Sequence, residues 1–379
     1  MSIETSPQLP RRLDNIQALR GVAALSVLFY HLALFIRDGI FTGQSGFPAG
    51  PWDQGWAGVD LFFVVSGFIM VWTTRDIAPS IRSSADFLWR RVTRIYPLWW
   101  ICAGIMLVYF MLAYNMPAAP DRVSGPGEAW AYALKSFALF PQENPPLLGL
   151  GWTLIHEMWF YLVFTVILVL PKKYLIPALL LWAFATMIHY AFSGAIEAEQ
   201  AVRKLITSPL NLEFIGGAIV AWMLLNRPPV SQHMGRAIFL VGLAWLTLAM
   251  VFNIRFAAED HHLIRTVIYG PAMIFLVWGS TVLALSGGVS VPKWLIQLGD
   301  WSYALYLIHY IVLIAMKRGL EELGLSNMLG GGGLAIIIFS LAAIAFSLIA
   351  SGVLHTLVER PLIRWFRRRK SRSPVQMSG

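Results

Sequence analysis

The sequence predicts an all-α membrane protein that crosses the bilayer about ten times. Two features of its composition indicate this: 57% of the 379 residues are hydrophobic and only 13% are charged, whereas soluble domains have about 45–50% apolar and about 25% charged residues. The third is that apolar runs of near-bilayer length, about 20 residues, recur between residues 16 and 353. Soluble enzymes, nucleic-acid-binding modules and disordered proteins are therefore excluded as first interpretations.

Each apolar run is bounded by segments that carry proline, glycine or charge. The ten runs lie near residues 16–37, 56–75, 93–114, 151–170, 174–192, 209–226, 237–253, 263–285, 298–316 and 331–353. We expect the first to be retained as a spanning helix, because it is longer than the apolar part of a typical signal peptide. Residues 1–366 are predicted to form one transmembrane domain, followed by a basic tail at 367–379.

The net charge of +9 is best explained by membrane orientation. With the N-terminus inside the cell, most of the 29 Lys and Arg residues fall in cytoplasmic segments, as the positive-inside rule requires. Ten crossings return the C-terminus to the same side. We therefore expect an N-in, C-in chain whose basic tail contacts anionic membrane lipids, with no nucleic-acid partner.

Three ionisable residues fall inside predicted helices at a similar depth. His31, Glu157 and His309 each lie about six or seven residues from the predicted outer end of their span, roughly 9–10 Å below the surface. Such groups are costly in lipid and usually face a polar interior. We therefore predict one polar chamber enclosed by the first, fourth and ninth spans. Arg20 lies 11 residues before His31 and on the same helix face.

A second polar cluster lies at the predicted cytoplasmic end of the third span. Arg91 and Arg94 share one helix face, and two guanidinium groups suit a phosphate or pyrophosphate. Membrane anchoring explains the same spacing equally well. Asp60 and Glu213, near outer helix ends, suit a capping or interfacial role. The single cysteine, Cys102, allows no internal disulfide or thiolate metal site, and we expect no metal.

In order along the chain, these motifs resemble the membrane-bound acyltransferase family 3, bacterial O-acyltransferases that modify exopolysaccharides, O-antigens and some small molecules. The matching motifs lie within residues 13–366. They are Arg20 through His31, Gly58–Phe68 (GVDLFFVVSGF), Arg91 with Arg94, Trp152–Tyr161 (WTLIHEMWFY), Ser302–His309 (SYALYLIH) and Val358–Pro361 (VERP). His156 departs from the polar or aromatic residue that we expect in relatives that modify exopolysaccharides.

The resemblance implies transfer of an acyl group from cytoplasmic acyl-CoA to an acceptor hydroxyl across the bacterial inner membrane. The implied catalytic residues are His31, Glu157 and His309; the implied donor-binding residues are Arg20, Arg91 and Arg94; and Asp60, Trp152 and Tyr303 are expected to bind the acceptor. Acetyl-CoA is the expected donor, with no tightly bound cofactor. The expected acceptor is a surface polysaccharide or its lipid-linked precursor. His31 serves either as general base or as nucleophile, and the sequence leaves both open.

A transporter or flippase is the alternative from a different functional class. Arg20, His31, Glu157 and His309 would then form a proton relay. The sequence shows no internal repeat of the kind found in many transporters, and the paired arginines at one face favour the enzyme.

The longest connection, from about 115 to 150, is rich in proline. We expect it to lie outside the membrane as a lid over the acceptor entrance. Trp130 within it and Trp152 just after it are the aromatic residues expected to stack on a sugar.

Overall fold

The computed structural model describes residues 9–37, 50–123, 125–193, 201–227, 231–256, 262–324 and 333–371. These residues form helices and their connections. The helices are α1 (Asp14–Arg37), α2 (Gly58–Thr74), α3 (Ile81–Tyr114), α4 (Pro126–Phe137), α5 (Gly151–Ile167), α6 (Leu175–Ser193), α7 (Ala201–Ile206), α8 (Asn211–Asn226), α9 (Gln232–Phe256), α10 (His262–Leu285), α11 (Lys293–Glu322), α12 (Gly333–Leu354) and α13 (Arg360–Ser371). A π-helical turn, His355–Glu359, joins α12 to α13.

Within these described ranges, nine helical stretches are long and apolar enough to cross a membrane. The fourth predicted span is α5, an apolar helix of 17 residues. Its length of about 25 Å is slightly less than the roughly 30 Å of a hydrocarbon core. Every predicted apolar run coincides with a helix, so the prediction of an all-α polytopic membrane protein is confirmed. The N-in, C-in orientation stays a prediction.

The two ends of the helical bundle differ in charge. Arg11, Arg75, Lys172 and Lys173 lie around one cavity at the end where α1 begins, and this end is called the basic end. It is the end that the sequence predicts to be cytoplasmic. The opposite end, where α1 finishes, is called the far end.

Glycine allows two pairs of helices to pack backbone against backbone. A Cβ atom on Gly299 of α11 would lie 1.9 Å from the carbonyl oxygen of Gln17 on α1, and Gly21 of α1 faces Gly299 across the same contact. Gly67 of α2 and Gly217 of α8 pack equally closely, since a Cβ on either would lie 1.9 Å from a carbonyl oxygen of the facing helix. Small residues at such contacts are a common way for membrane helices to associate.

The glycine contact between α1 and α11 sets the positions of two histidines. Both helices begin at the basic end and run parallel. His31 follows Gly21 by ten residues, and His309 follows Gly299 by ten, so both rise about 15 Å above the contact. Their imidazole rings meet there, with centroids 5.2 Å apart. The helix packing therefore brings together two groups that are distant in sequence.

The segment after α3 folds back along α3. Tyr96, Trp99 and Trp100 of α3 donate hydrogen bonds of 2.8 to 3.0 Å to the carbonyl groups of residues 136–138, at the C-terminal end of α4, where a helix leaves its last carbonyls without backbone partners. Gly151, the first residue of α5, packs against the Trp99 ring. Because α3 continues for about 15 residues beyond Trp99, roughly 22 Å, α5 begins well below the far end of α3.

Candidate active site

One cavity lies among α1, α2, α3, α5 and α11, in the half of the bundle nearer the basic end. It has a volume of about 70 Å³, and Arg20, Arg91, Arg94, Glu157 and Tyr303 are among the residues that line it. We call it the inner cavity. Its three guanidinium groups outnumber the one carboxylate among the described residues that line it. The cavity therefore carries excess positive charge, as a phosphate-bearing ligand requires.

Two of these arginines have well-defined contacts. Arg20 donates a hydrogen bond of 2.9 Å to Oε1 of Gln17, one turn earlier on α1. The Arg91 guanidinium carbon lies 5.1 Å from the ring centroid of Phe87 and 5.3 Å from that of Tyr161, within the range of cation–π attraction. The sequence placed Arg91 and Arg94 at the predicted cytoplasmic edge and Arg20 within the first span. The structure brings all three together around one space.

Glu157 belongs to this inner cavity. Its Oε1 atom accepts hydrogen bonds from the Ser66 hydroxyl, at 3.0 Å, and from the Tyr161 hydroxyl. No contact between Glu157 and His31 is present in the part of the chain that the structure describes. On α1, Arg20 lies beside the same cavity as Glu157, whereas His31 is about 16 Å further along the helix axis.

The structure therefore corrects the prediction of a single chamber that holds His31, Glu157 and His309. The prediction measured the depth of Glu157 from the start of α5, which was assumed to lie at the membrane surface. That helix instead begins beside Trp99, because the preceding segment packs down along α3. Glu157 is consequently deeper than the sequence count indicated.

A larger cavity of about 640 Å³ opens toward the far end and contains His31. We call it the outer cavity. Its volume lies in the range typical of small-molecule sites. Aromatic rings form much of its wall: Tyr30, Phe35, Trp56, Trp152, Tyr269, Tyr306 and Tyr310. Val59 and Tyr306 line both cavities, so the two spaces adjoin at these residues.

The hydrogen bonds of His31 define which of its ring nitrogens carries the proton. Nδ1 of His31 lies 2.9 Å from the carbonyl oxygen of Val27 and 3.2 Å from Nε2 of His309. A carbonyl oxygen can only accept, so Nδ1 of His31 carries the hydrogen in the neutral ring. Nε2 of His31 then holds the basic lone pair on a side chain that lines the outer cavity.

The tautomer of His309 follows from the same argument. Its Nδ1 lies 2.8 Å from the carbonyl oxygen of Leu305, so Nδ1 is the donor and Nε2 the acceptor toward His31. The residue is 0% exposed and is absent from the walls of both cavities. The structure therefore gives His309, which the resemblance implies to be catalytic, no direct contact with either cavity.

The residues predicted to bind the acceptor have three different environments. Trp152 lines the outer cavity. Tyr303 lines the inner cavity and donates a hydrogen bond of 2.7 Å to the carbonyl oxygen of Ile95. Asp60 is 0% exposed and accepts from Arg265 through both oxygens, at 2.8 and 2.9 Å. Asp60 was predicted to contact the substrate, or to have a capping or interfacial role. The structure corrects both predictions, because Asp60 pairs with Arg265, and it is Arg265 that lines the outer cavity.

Two further residues singled out in the sequence differ in burial. Glu213, expected near an interface, is 1% exposed, and neither of its carboxylate oxygens has a hydrogen-bond partner among the described residues. Trp130, predicted to stack on a sugar, is 52% exposed and is absent from the walls of the described cavities. The segment that contains Trp130 does contribute Arg122, Pro145 and residues 149–150 to the outer cavity, so part of the predicted lid does border that cavity.

Sequence reasoning missed three residues of the outer cavity. Arg265 stands in the first turn of α10, and an arginine inside a predicted apolar run is a signal that was available. Tyr306 lies within the Ser302–His309 motif, which also offered a signal. Arg122 had no local signal, since only the folding of its segment against α3 brings it to the cavity.

Comparisons with known proteins agree with this architecture. A protein-family model described as an acyltransferase domain matches residues 13–355. The chain is 30% identical to the exopolysaccharide production protein ExoZ of Rhizobium meliloti, over 83% of this chain and 92% of that protein. It is 28% identical to acyltransferase MdmB of Streptomyces mycarofaciens, over 95% of this chain and 94% of that protein.

A more distant relative is O-acetyltransferase OatA of Staphylococcus aureus, 21% identical over 80% of this chain and 51% of that protein. No solved structure matches the chain significantly. The family match spans all ten predicted membrane crossings, and it confirms the resemblance found in the sequence motifs. The chain therefore belongs to the membrane-bound acyltransferase family 3 and is an acyltransferase.

Proposed function

We propose that this acyltransferase moves an acyl group, most simply acetyl, from acyl-CoA at the basic end to a hydroxyl of a surface polysaccharide or its lipid-linked precursor at the far end. The observation that carries the proposal is the junction of the two cavities. Arginines line one and His31 lines the other, and they adjoin at Val59 and Tyr306. Donor and acceptor would approach one point from opposite sides of the bundle.

On the donor side, CoA presents several phosphate charges and a long, flexible pantetheine arm. Arg91 and Arg94 offer paired guanidinium groups for those phosphates. The inner cavity of about 70 Å³ is smaller than a typical ligand site, so donor binding requires the arginine side chains to move apart. Both are only half-buried, which leaves room for that movement toward the basic end.

Beyond the arginines, the thioester must pass Tyr306 to reach His31. The Tyr306 hydroxyl is 2.8 Å from the Thr153 hydroxyl and donates to the Leu150 carbonyl at 3.3 Å. These contacts hold the ring between the two cavities. We propose that Tyr306 and Val59 form the passage through which the acyl end of the donor extends.

On the acceptor side, His31 supplies the base. Nε2 takes the proton from the acceptor hydroxyl, and the hydroxyl oxygen attacks the thioester carbonyl carbon. The carbon–sulfur bond then breaks, and the CoA sulfur takes the proton from His31. The new ester and the free thiol of CoA leave, and His31 returns to its neutral form with the hydrogen on Nδ1.

The same nitrogen also supports a two-step route. Nε2 of His31 attacks the thioester carbonyl carbon, the carbon–sulfur bond breaks and CoA is released as a thiolate, which leaves an acyl-imidazole that keeps its hydrogen on Nδ1. In the second step the acceptor hydroxyl oxygen attacks the same acyl carbon, the bond to Nε2 breaks, and the thiolate takes the hydroxyl proton. The position of Nε2 suits both routes. In each, His309 holds the imidazole of His31 by accepting from Nδ1, and so acts as a positioning residue.

The proposal of a carbohydrate acceptor is supported by the aromatic walls of the outer cavity, since ring faces such as that of Trp152 can pack on the apolar face of a sugar. The name of the relative ExoZ, an exopolysaccharide production protein, agrees with this class. A multi-pass chain of this family with its basic end in the cytoplasm fits the bacterial inner membrane, where donor and acceptor are separated by the bilayer.

The test is acyl transfer by the purified protein in lipid nanodiscs. Radiolabelled acetyl-CoA would be combined with exopolysaccharide from the organism that makes this protein. Mild base would first remove the native acyl groups from that polysaccharide. We expect label in the polysaccharide and stoichiometric release of CoA thiol. Absence of label in polysaccharide, with acetyl-CoA left intact, would exclude the proposed donor and acceptor pair.

A further inference from the structure

A third cavity lies beside the outer cavity, between the segment around α4 and the short helix α7. It has a volume of about 620 Å³, and we call it the outer groove. Charged and amide side chains form much of its wall: Glu128, Lys135, Gln142, Glu143, Asn144 and Arg203. This composition differs from the aromatic wall of the outer cavity.

Arg122 connects the two spaces, because it lines both the outer cavity and the outer groove. Its Nη1 atom donates to the Tyr132 hydroxyl and to the Pro146 carbonyl, each at 3.1 Å. The Asn144 side chain donates to the Arg122 carbonyl at 2.9 Å. A guanidinium has five N–H donors, so these contacts fix the side chain and leave donors for a ligand that passes from one space to the other.

We infer that the outer groove is a second acceptor subsite, which binds the sugars next to the one that is acylated. The inference rests on the proposed function and narrows it. The acceptor would be an oligosaccharide chain rather than a single sugar or another small molecule. One sugar would occupy the outer cavity beside His31, and its neighbours would extend past Arg122 into the outer groove.

The mixed charge of the outer groove suits a polyhydroxylated ligand. Arg122, Lys135 and Arg203 can donate hydrogen bonds, whereas Glu128 and Glu143 can accept them. With three cations beside two acids, neither sign of charge dominates the groove. A sugar hydroxyl both donates and accepts, so it can use both kinds of side chain.

Gln142 adds an independent observation. Its Nε2 atom donates to the Ser136 hydroxyl at 3.0 Å, whereas its Oε1 atom is buried and has no hydrogen-bond partner among the described residues. A buried acceptor without a partner is costly, typically by about 1–3 kcal/mol. Gln142 lines the outer groove, and a small shift of its amide would let a hydroxyl bound there supply the missing donor.

The experiment measures how transfer depends on acceptor length. De-acylated host exopolysaccharide would be cut into fragments of one, two, three and four sugars, and kcat/KM measured for each with acetyl-CoA. We expect kcat/KM to rise at least tenfold from one sugar to three, equivalent to about 1.4 kcal/mol. Arg203→Ala should remove most of this gain and leave the one-sugar rate unchanged.

Lys204→Ala is the matched control, since Lys204 is the exposed neighbour of Arg203 on α7 but does not line the outer groove. It should keep the full dependence on length. Glu143→Ala, at an exposed position, gives a second variant with little risk to folding and should also reduce the gain. Equal kcat/KM at every length, or equal losses in Arg203→Ala and Lys204→Ala, would overturn the subsite alone. No transfer to any fragment would overturn the proposed acceptor class and the subsite with it.

Discussion

The inner and outer cavities meet at two residues but differ in size and in chemistry. The inner cavity is about 70 Å³ and is lined by three arginines and one glutamate. The outer cavity is about 640 Å³, and rings form much of its wall. A small charged space suits the phosphates and narrow arm of a donor. A wide, mainly aromatic space suits a bulky acceptor. Arg122 and Arg265 also line it, and Arg265 is paired with Asp60.

The difference shows how the bundle separates recognition from chemistry. Charge is concentrated where it can be neutralised by an anionic donor, which reduces the cost of holding arginines inside a membrane protein. The base, His31, is placed on the other side of Tyr306, away from those charges. Variants can therefore be chosen to affect one cavity and leave the other intact.

The largest effect is expected from His31→Ala, which removes the base and leaves both cavities otherwise unchanged. Transfer should fall by about 10²- to 10⁴-fold, as measured with radiolabelled acetyl-CoA and polysaccharide, while acetyl-CoA binding persists. His233→Ala is the matched control, because His233 is exposed at the start of α9. A His31→Ala enzyme that retains transfer within tenfold of the unmodified protein would remove His31 from the mechanism.

The next largest effect is expected from Arg91→Ala and Arg94→Ala. Each removes a charge-assisted contact worth about 1.5–3 kcal/mol, so KM for acyl-CoA should rise about tenfold to hundredfold while KM for the acceptor changes little. Lysine at either position should recover only part of the loss, because it lacks the bidentate geometry. Arg90→Ala is the control, since Arg90 is the exposed neighbour of Arg91. If both alanine variants bind CoA as tightly as the unmodified protein, these arginines serve only as membrane anchors.

A smaller effect is expected from His309→Ala, which leaves the Nδ1 hydrogen of His31 with one acceptor instead of two. The loss should appear in kcat, by roughly fivefold to hundredfold for a cost of about 1–3 kcal/mol, with KM for acyl-CoA unchanged. His309→Gln should restore part of kcat, because its amide oxygen can accept the same hydrogen bond. A thermal unfolding curve for each variant separates this role from a loss of stability. No recovery in a folded His309→Gln protein would argue against the positioning role.

The smallest effect is expected from Glu157→Gln, which keeps an oxygen for Ser66 and Tyr161 but removes a negative charge from the inner cavity. KM for acyl-CoA should fall by roughly twofold to fivefold, less than about 1 kcal/mol, because the donor is an anion. The pH dependence of kcat should not change. A shift in that pH profile would show that Glu157 acts on His31, and the division into two cavities would then fail.

The spanning helices were predictable because the length of an apolar run is a local property of the sequence. The grouping of Arg20, Arg91 and Arg94 could be predicted for the same reason, because each lies near the start of its span. The depth of Glu157 could not be predicted from the sequence. It depends on how the carbonyl groups of residues 136 and 137 accept hydrogen bonds from the indoles of α3, which is a tertiary interaction with no signature in α5 itself.

The contact between His31 and His309 was predictable only in part. Equal depth was estimated correctly from the ends of the two spans, but adjacency requires that α1 and α11 pack side by side. The glycines at 21 and 299 carry that information, and a glycine alone does not identify its partner helix. Asp60 illustrates the opposite case, since its ion pair with Arg265 joins two distant segments through charges that were each visible in the sequence.

The pairing of α1 with α11 also ties activity to biosynthesis. His31 and His309 are 278 residues apart, so on the ribosome the first is made long before the second. His31 enters the membrane with the earliest span and stays without its imidazole partner until most of the chain has been translated and inserted. Growing chains thus cannot assemble the histidine pair, and only a bundle that has closed α11 against α1 gives the Nδ1 hydrogen of His31 its second acceptor.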